Sequence, residues 1–370
     1  MIIGVLKEIK ADENRVALSP GGVEFMQQNG HSILVEKDAG KPSGFNNALY
    51  KQAGAEVVNQ SAAIFEQAEM ILRVKEPLPG EYKLLKKGQI YFAYLHFAAS
   101  EEVTRIMLDS GVISIAYETI QKDNGSLPLL KPMSEVAGDM AIQQGAKYLE
   151  MAQGGHGVLL GGVPGVDPAT VVILGGGVVG MNAAKLACGL GAKVYILDID
   201  LNRLRYLSDV MPGHCITLMS SPAAIREVLP KADVVVGAVL VPGSKTPNLV
   251  SREMLKSMKK GSVLVDVSID QGGCFETSKE TTHADPTYTV DGIVHYAVSN
   301  MPGALPRTST LALNNATLPY AAEIADKGWK KAMQENSEIK RGANVVEGKV
   351  TYKGVAEAFG LKYTPIDKLL

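Results

Sequence analysis

Short apolar runs alternate with amphipathic stretches along most of the chain. Ile2–Leu6, Ile33–Glu36, Met70–Val74, Ile90–Leu95 and Val112–Tyr117 read as strands, and Gly21–Gln28, Asn47–Ala53, Ala62–Gln67 and Glu101–Asp109 between them have helical spacing. That alternation predicts βαβ units and a mostly parallel sheet. Turn residues break the pattern near Gly125–Pro132, and a long helix is predicted from about Ser134 to Met151, with Ser134 as its N-cap. Beyond a glycine-rich stretch, Gly154–Gly165, a second series begins, with strands predicted at Val171–Leu174, Lys193–Leu197, Ile216–Met219, Val234–Val239, Ser262–Val267 and Ile293–Val298. After Pro302 two helices, Leu311–Lys327 and Trp329–Glu338, dominate and strands are scarce. A tail without strands for its own sheet is expected to pack back on the first domain and make it discontinuous. The expected fold class is therefore α/β: two Rossmann-like doubly wound domains with parallel sheets, one of residues 1–130 and 305–370, the other of 131–304.

Composition narrows the function. Hydrophobic residues make up 46% and charged residues 21% of the 370, the balance of a folded chain. Lys+Arg 37 against Asp+Glu 39 leaves a net charge of −2, so nothing compositional points to nucleic acid or an anionic membrane. Cys188, Cys215 and Cys274 form no CxxC pair, which argues against a zinc knuckle and fits a reducing compartment. No spanning apolar run and no signal-peptide pattern are seen, so a cytoplasmic location is expected.

The strongest motif is Val171-Val172-Ile173-Leu174-Gly175-Gly176-Gly177-Val178-Val179-Gly180, which matches G-x-G-x-x-G at Gly175, Gly177 and Gly180. The first glycine permits a tight turn, the second lets the backbone approach a pyrophosphate, and the third lets helix and strand pack closely. A helix predicted at Met181–Leu190 would aim free N–H groups at the phosphates. The next strand ends in Asp198, placed to accept hydrogen bonds from the ribose hydroxyls and to repel a 2′-phosphate, which favours NAD over NADP. Arg203 nearby argues the other way, as a partner for a 2′-phosphate, and is outweighed by the strand-end position of Asp198. Gly243-Ser244-Lys245-Thr246 lacks the spacing of a P-loop.

Ligands of parallel sheets bind beyond the carboxyl ends of the strands. Applied as a filter, that rule selects Arg15, Lys75, His96 and Asp270. They come from both α/β series and are expected to meet in an interdomain cleft. An arginine fork can hold a carboxylate, a lysine can bind a carboxylate or polarise a carbonyl, and a histidine oriented by an aspartate can exchange a proton near neutral pH. With NAD, that set suits oxidation of a small amino or hydroxy acid and needs no metal. Position alone leaves alternatives open: Arg15 as a surface or capping residue, Lys75 as a solvated lysine, His96 as a satisfied core histidine. Asp266, Ser268 and Asp270 are expected on one strand face, with Asp270 nearest the exit.

Taken together, several segments resemble the alanine dehydrogenase family, which includes the NAD-binding subunit of transhydrogenase. They are Gly4-Val5-Leu6-Lys7-Glu8, Glu13-Asn14-Arg15-Val16-Ala17-Leu18-Ser19-Pro20, Val74-Lys75-Glu76-Pro77, Tyr94-Leu95-His96-Phe97, the glycine motif, Val265–Gly273 and Ser299-Asn300-Met301-Pro302-Gly303. The resemblance implies that Arg15 and Lys75, with Asn300, bind pyruvate and that His96 and Asp270 are the acid/base pair. It implies NAD contacts from Ser134, Val178, Val179, Asp198, Arg203, Ser220, Val239 and Leu240. Others come from Val267, Ser268, Ile269 and Asp270, from Lys279 (basic where the family often has arginine), and from Val298, Ser299, Asn300 and Met301. It further implies a homohexamer acting on L-alanine, pyruvate and ammonium. Two rivals remain: an NAD-binding module of the transhydrogenase kind that passes hydride to a partner, and a lysine-pathway dehydrogenase with a larger substrate.

Overall fold

The computed structural model describes residues 1–239 and 246–370. In chain order its strands are β1 Ile2–Val5, β2 Ser32–Glu36, β3 Glu56–Val58, β4 Met70–Leu72, β5 Ile90–Ala93, β6 Ile113–Ala116, β7 Thr170–Leu174, β8 Lys193–Asp198, β9 Cys215–Met219, β10 Val234–Gly237, β11 Val263–Asp266, β12 Thr287–Val290, β13 Ile293–Tyr296, β14 Ala343–Val346 and β15 Lys349–Val350. The chain divides into two compact units, Met1–Met133 with Gly303–Leu370, and Ser134–Pro302.

The first unit holds a sheet in the order β15-β14-β6-β5-β4-β1-β2-β3. From β3 to β6 the pairs are parallel, and β4, β5 and β6 are buried throughout. A sheet covered on both faces favours continuous apolar strands, which is why β4 and β5 read as unbroken runs, while β6 carries one buried serine, Ser114. The sheet is mostly parallel, as expected, with an antiparallel addition at one edge. β14 lies antiparallel to β6, and β15 antiparallel to β14. Periodicity predicts a nearly strandless tail, but Ala343-Asn344-Val345-Val346 is fully buried and extends the sheet. The tail's second predicted helix is two, Trp329–Glu335 and Ser337–Arg341, because Asn336 stops one and caps the other by accepting from the Glu338 and Ile339 N–H groups.

The second unit has the order β12-β13-β11-β10-β7-β8-β9, parallel except for the antiparallel edge strand β12. Its core places Val172, Leu174, Leu197, Val235 and Leu264 against Val228, Leu229 and Phe275. Each sheet winds outward from its first strand in both directions. The winding direction reverses between β1 and β4 in one unit and between β7 and β10 in the other. At such a switch point the flanking connections diverge and leave a crevice beyond the strand ends, where ligands bind.

Two helix starts differ from expectation. The long helix runs Lys131–Tyr148, so Ser134 lies in its first turn and is not the N-cap. Pro132 suits a first turn, where no backbone donor is required. The helix after the glycine motif starts at Val178, not Met181, with Gly177 as its N-cap.

Candidate active site

In the first unit four neighbouring parallel strands, β1, β4, β5 and β6, deliver polar residues at their exits. Arg15 is 2% exposed. Its Nε donates to Glu13 Oε1 at 2.6 Å, its Nη2 pairs with the second carboxylate oxygen, and its Nη1 faces Met133 Sδ. Burial works to raise the Glu13 carboxyl, but the Arg15 contact prevails and holds it below the usual carboxylate range. Lys75 follows β4. Burial, then the charge of Arg15, pushes its ammonium below the usual lysine range. Two cations thus stand at this crevice, and their chemistry suits the carboxylate of an anionic substrate.

The backbone carrying Lys75 is clamped from below. Glu8, just past β1, accepts the Val74 N–H at 2.7 Å and the Lys75 N–H at 3.4 Å. Arg73, wholly buried, donates to Glu8 at 3.3 Å and also pairs with Glu81. Burial pushes the Glu8 carboxyl up to about 7, with Arg73 pulling the other way.

His96 follows β5. Its side chain is exposed, so the core-histidine alternative does not hold. The ring lies 6.0 Å from that of Tyr94, nearly parallel to it. The backbone is left-handed, φ 46 and ψ 38, at a cost on the order of 1 kcal/mol for a residue with a β-carbon. The His96 N–H donates to Glu118 Oε1 at 2.6 Å. Tyr94 is buried and its hydroxyl donates to the Leu129 carbonyl; burial raises its pKa.

In the second unit the motif forms the expected turn. Gly175 has φ 104, open to glycine and strained for other residues. A Cβ on Gly180 would overlap the Gly175 carbonyl oxygen, so only glycine lets the helix come this close to β7. Chain neighbours aside, a Cβ on Gly177 would meet no atom of the described residues within 4 Å. That open face, beside the N–H groups of helix Val178–Gly189, is the cradle a pyrophosphate requires. Val178 and Val179 open that helix. Asp198 ends β8 and accepts the Gly176 N–H at 2.7 Å and the Asp200 N–H at 2.9 Å, which fixes its carboxylate beside the turn. Arg203 donates to the Gly176 and Gly177 carbonyls: it holds the glycine turn itself. Ser220 follows β9 and donates its N–H to the Asp198 carbonyl.

The remaining nucleotide candidates gather at the β10, β11 and β13 exits. Ser268 Oγ donates to the Val239 carbonyl at 2.7 Å, and the Val267 N–H to the Gly237 carbonyl. β11 ends at Asp266, so Asp266, Ser268 and Asp270 do not share one strand face. Asp266 is buried and accepts from the Ser268 and Cys274 N–H groups and the Ser278 hydroxyl. Asp270 lies in the 3-10 turn Ile269–Gln271 with its side chain exposed. Val298 and Ser299 bridge to Thr281, and Asn300 is left-handed at φ 53 ahead of buried Met301. Lys279 is exposed. Leu240 and the rejected Gly243–Lys245 segment lie outside the described residues. Among the described residues, no group of three or more His, Cys, Asp or Glu side chains is arranged to hold a metal ion.

The strand-exit filter, applied only to cations, histidine and Asp270, passes over Glu8, Glu13, Tyr94 and Glu118. The same rule extended to acids finds Glu8 and Glu118, each within three residues of its strand's end.

Family models match on both sides of the chain: the alanine dehydrogenase/PNT N-terminal domain over residues 4–137 and the C-terminal domain over residues 141–353. The chain is 56% identical over 371 aligned residues to an alanine dehydrogenase of Methanococcus maripaludis, covering 100% of both sequences. It is 49% identical to a solved L-alanine dehydrogenase, with a TM-score of 0.95 over 97% of this chain and 99% of that one. A transhydrogenase from Sinorhizobium meliloti is 25% identical, with a TM-score of 0.82 over 95% and 99%.

Proposed function

The chain belongs to the alanine dehydrogenase/PNT family, and we propose that it catalyses the reversible reaction of L-alanine, NAD+ and water to pyruvate, ammonium, NADH and a proton. The observation that carries this reading is that Arg15, Lys75 and His96 follow the neighbouring parallel strands β1, β4 and β5, at and beside the switch point of the first unit. The glycine cradle and the fixed Asp198 carboxylate of the second unit support the choice of NAD.

NAD, bound at the cradle, supplies a hydride acceptor for the Cα hydrogen of the substrate. Arg15 holds the substrate carboxylate through its guanidinium fork, and Lys75 holds the carboxylate or carbonyl oxygen. Hydride loss leaves an imine. His96 takes a proton from water as it adds to the imine carbon, then returns one to the departing nitrogen. Asp270 is the second acid/base group, and Asn300 assists substrate binding. Cys188, Cys215 and Cys274 are free thiols, and no helix among the described residues is long and apolar enough to cross a membrane; both support a cytoplasmic location. A homo-oligomer, hexameric by family resemblance, completes the proposal.

The likeness to transhydrogenase favours a second reading, an NAD(H)-binding module that turns over no amino acid. Incubating the purified chain with NAD+ and a panel of L-amino acids separates the two. NADH formation dependent on L-alanine is expected. No NADH with any amino acid, from protein that binds NADH, would overturn the dehydrogenase reading.

A further inference from the structure

We propose that Glu118 is a positioning residue that sets the direction of the His96 imidazole by holding the backbone of the turn that carries it. The proposal rests on the acid/base reading of His96.

The sheet stops supplying acceptors just before His96. β5 ends at Ala93, and the Tyr94 N–H still reaches the Val74 carbonyl of the β4 side. The next two N–H groups both go to one carboxylate. Leu95 donates to the two oxygens of Glu118 at 3.2 and 3.3 Å, and His96 donates to Oε1 at 2.6 Å. Register explains the reach: Ala93 pairs with Ala116, so Glu118 sits two residues past the last pair, level with Leu95. A charged acceptor makes stronger hydrogen bonds than a neutral one, and this one serves consecutive donors.

The turn needs such a clamp. His96 is left-handed without being glycine, a state that persists where the surroundings over-determine it. Its carbonyl accepts the Ala99 N–H and opens the 3-10 turn Phe97–Ala99. Leu95 and Phe97 are each 1% exposed, so both neighbours point into the core while His96 points out. Glu118 is itself held firmly. It lies in the turn Tyr117–Thr119, where Tyr117 packs edge-on against Phe92 and Tyr94, and the Thr119 hydroxyl accepts from Asn344 Nδ2 at 2.6 Å. Without the carboxylate, the His96 backbone relaxes toward negative φ and carries the imidazole away from the position β5 gives it.

The test compares Glu118→Ala, Glu118→Gln and His96→Ala in alanine oxidation, each checked for folding by thermal melting and for NADH binding. Misplacing a reacting group by about 1 Å costs up to about 100-fold, so Glu118→Ala should lower kcat roughly 10- to 100-fold. KM for alanine and affinity for NADH should stay near parental values, because Arg15, Lys75 and the glycine turn are untouched. Glu118→Gln keeps one acceptor oxygen and should lose only several-fold. In a His96→Ala background, Glu118→Ala should cost no further activity, since the residue acts through His96. Parental kcat in folded Glu118→Ala overturns the proposal, as does an equal loss in both backgrounds. If Glu118→Ala does not fold, parental kcat in Glu118→Gln overturns it. A His96→Ala enzyme with parental turnover overturns the acid/base reading and this proposal with it. An inactive His96→Ala beside a fully active Glu118→Ala overturns this proposal alone.

Discussion

Gly177 and Gly180 belong to one motif but should fail in different ways when changed to alanine. At Gly180 the added methyl overlaps the Gly175 carbonyl oxygen and crowds the Gly175 carbonyl carbon at 3.0 Å and Ile173 Cγ2 at 3.1 Å. Two of these atoms are backbone, so helix Val178–Gly189 must move off β7. Overpacking of that kind costs about 1–3 kcal/mol, or roughly 3–10 °C of melting temperature in a unit of this size. The moved helix also carries its N–H groups out of line with the phosphates, and about 1.4 kcal/mol of lost interaction is a tenfold weaker Kd. At Gly177 the methyl meets nothing among the described residues within 4 Å, chain neighbours aside. The apo protein should lose at most about 1 kcal/mol, the cost of alanine at an N-cap. The methyl nevertheless occupies the face a pyrophosphate needs, so NADH affinity should fall at least tenfold. Apo melting temperatures and NADH fluorescence titrations on the same preparations give both numbers. A Gly177→Ala protein with parental NADH affinity would refute the placement of the pyrophosphate. One that melted as low as Gly180→Ala would refute the claim that the space is open.

His96→Ala should cut turnover by roughly 10²–10⁴ while NADH binding barely changes, because the glycine cradle lies in the other unit; near-parental turnover in folded protein would remove His96 from the mechanism. Asp198→Ala should relax the preference for NAD over NADP, read as the ratio of kcat/KM for the two cofactors, and equal use of both by the parent would refute the role of Asp198. Because burial and the charge of Arg15 hold the Lys75 ammonium below the usual lysine value, its charge is lost as pH rises, earlier than an ordinary lysine would lose it. Pyruvate KM should therefore increase on an alkaline limb that Lys75→Met abolishes; an unchanged limb in that variant would assign it elsewhere. Glu13→Gln leaves Arg15 buried beside a neutral amide and should destabilise the protein by about 3–5 kcal/mol in chemical denaturation, whereas a loss under about 1 kcal/mol would show that Arg15 is balanced by other groups.

The local parts of this protein are legible in the amino-acid sequence alone. β7, the glycine spacing and Asp198 at the end of β8 lie within one βαβ unit, where chain neighbours are also spatial neighbours. The fully buried strands β4, β5 and β10 announce themselves as continuous apolar runs, because a parallel sheet covered on both faces leaves no polar side. The tertiary structure decides everything set by pairing across long stretches of chain. Ala343–Val346 joins the first sheet as an antiparallel strand only because β6 offers it an edge. Glu8 meets Arg73, 65 residues away, and Glu118 meets His96, 22 residues away. Hydrophobic periodicity records which side of an element is buried, but it does not record which partner the buried or clamping group will find. That partner follows from strand order and register. Two strand exits lie side by side only after the sheet has formed, and the acids that hold Lys75 and His96 in place acquire their roles at that moment.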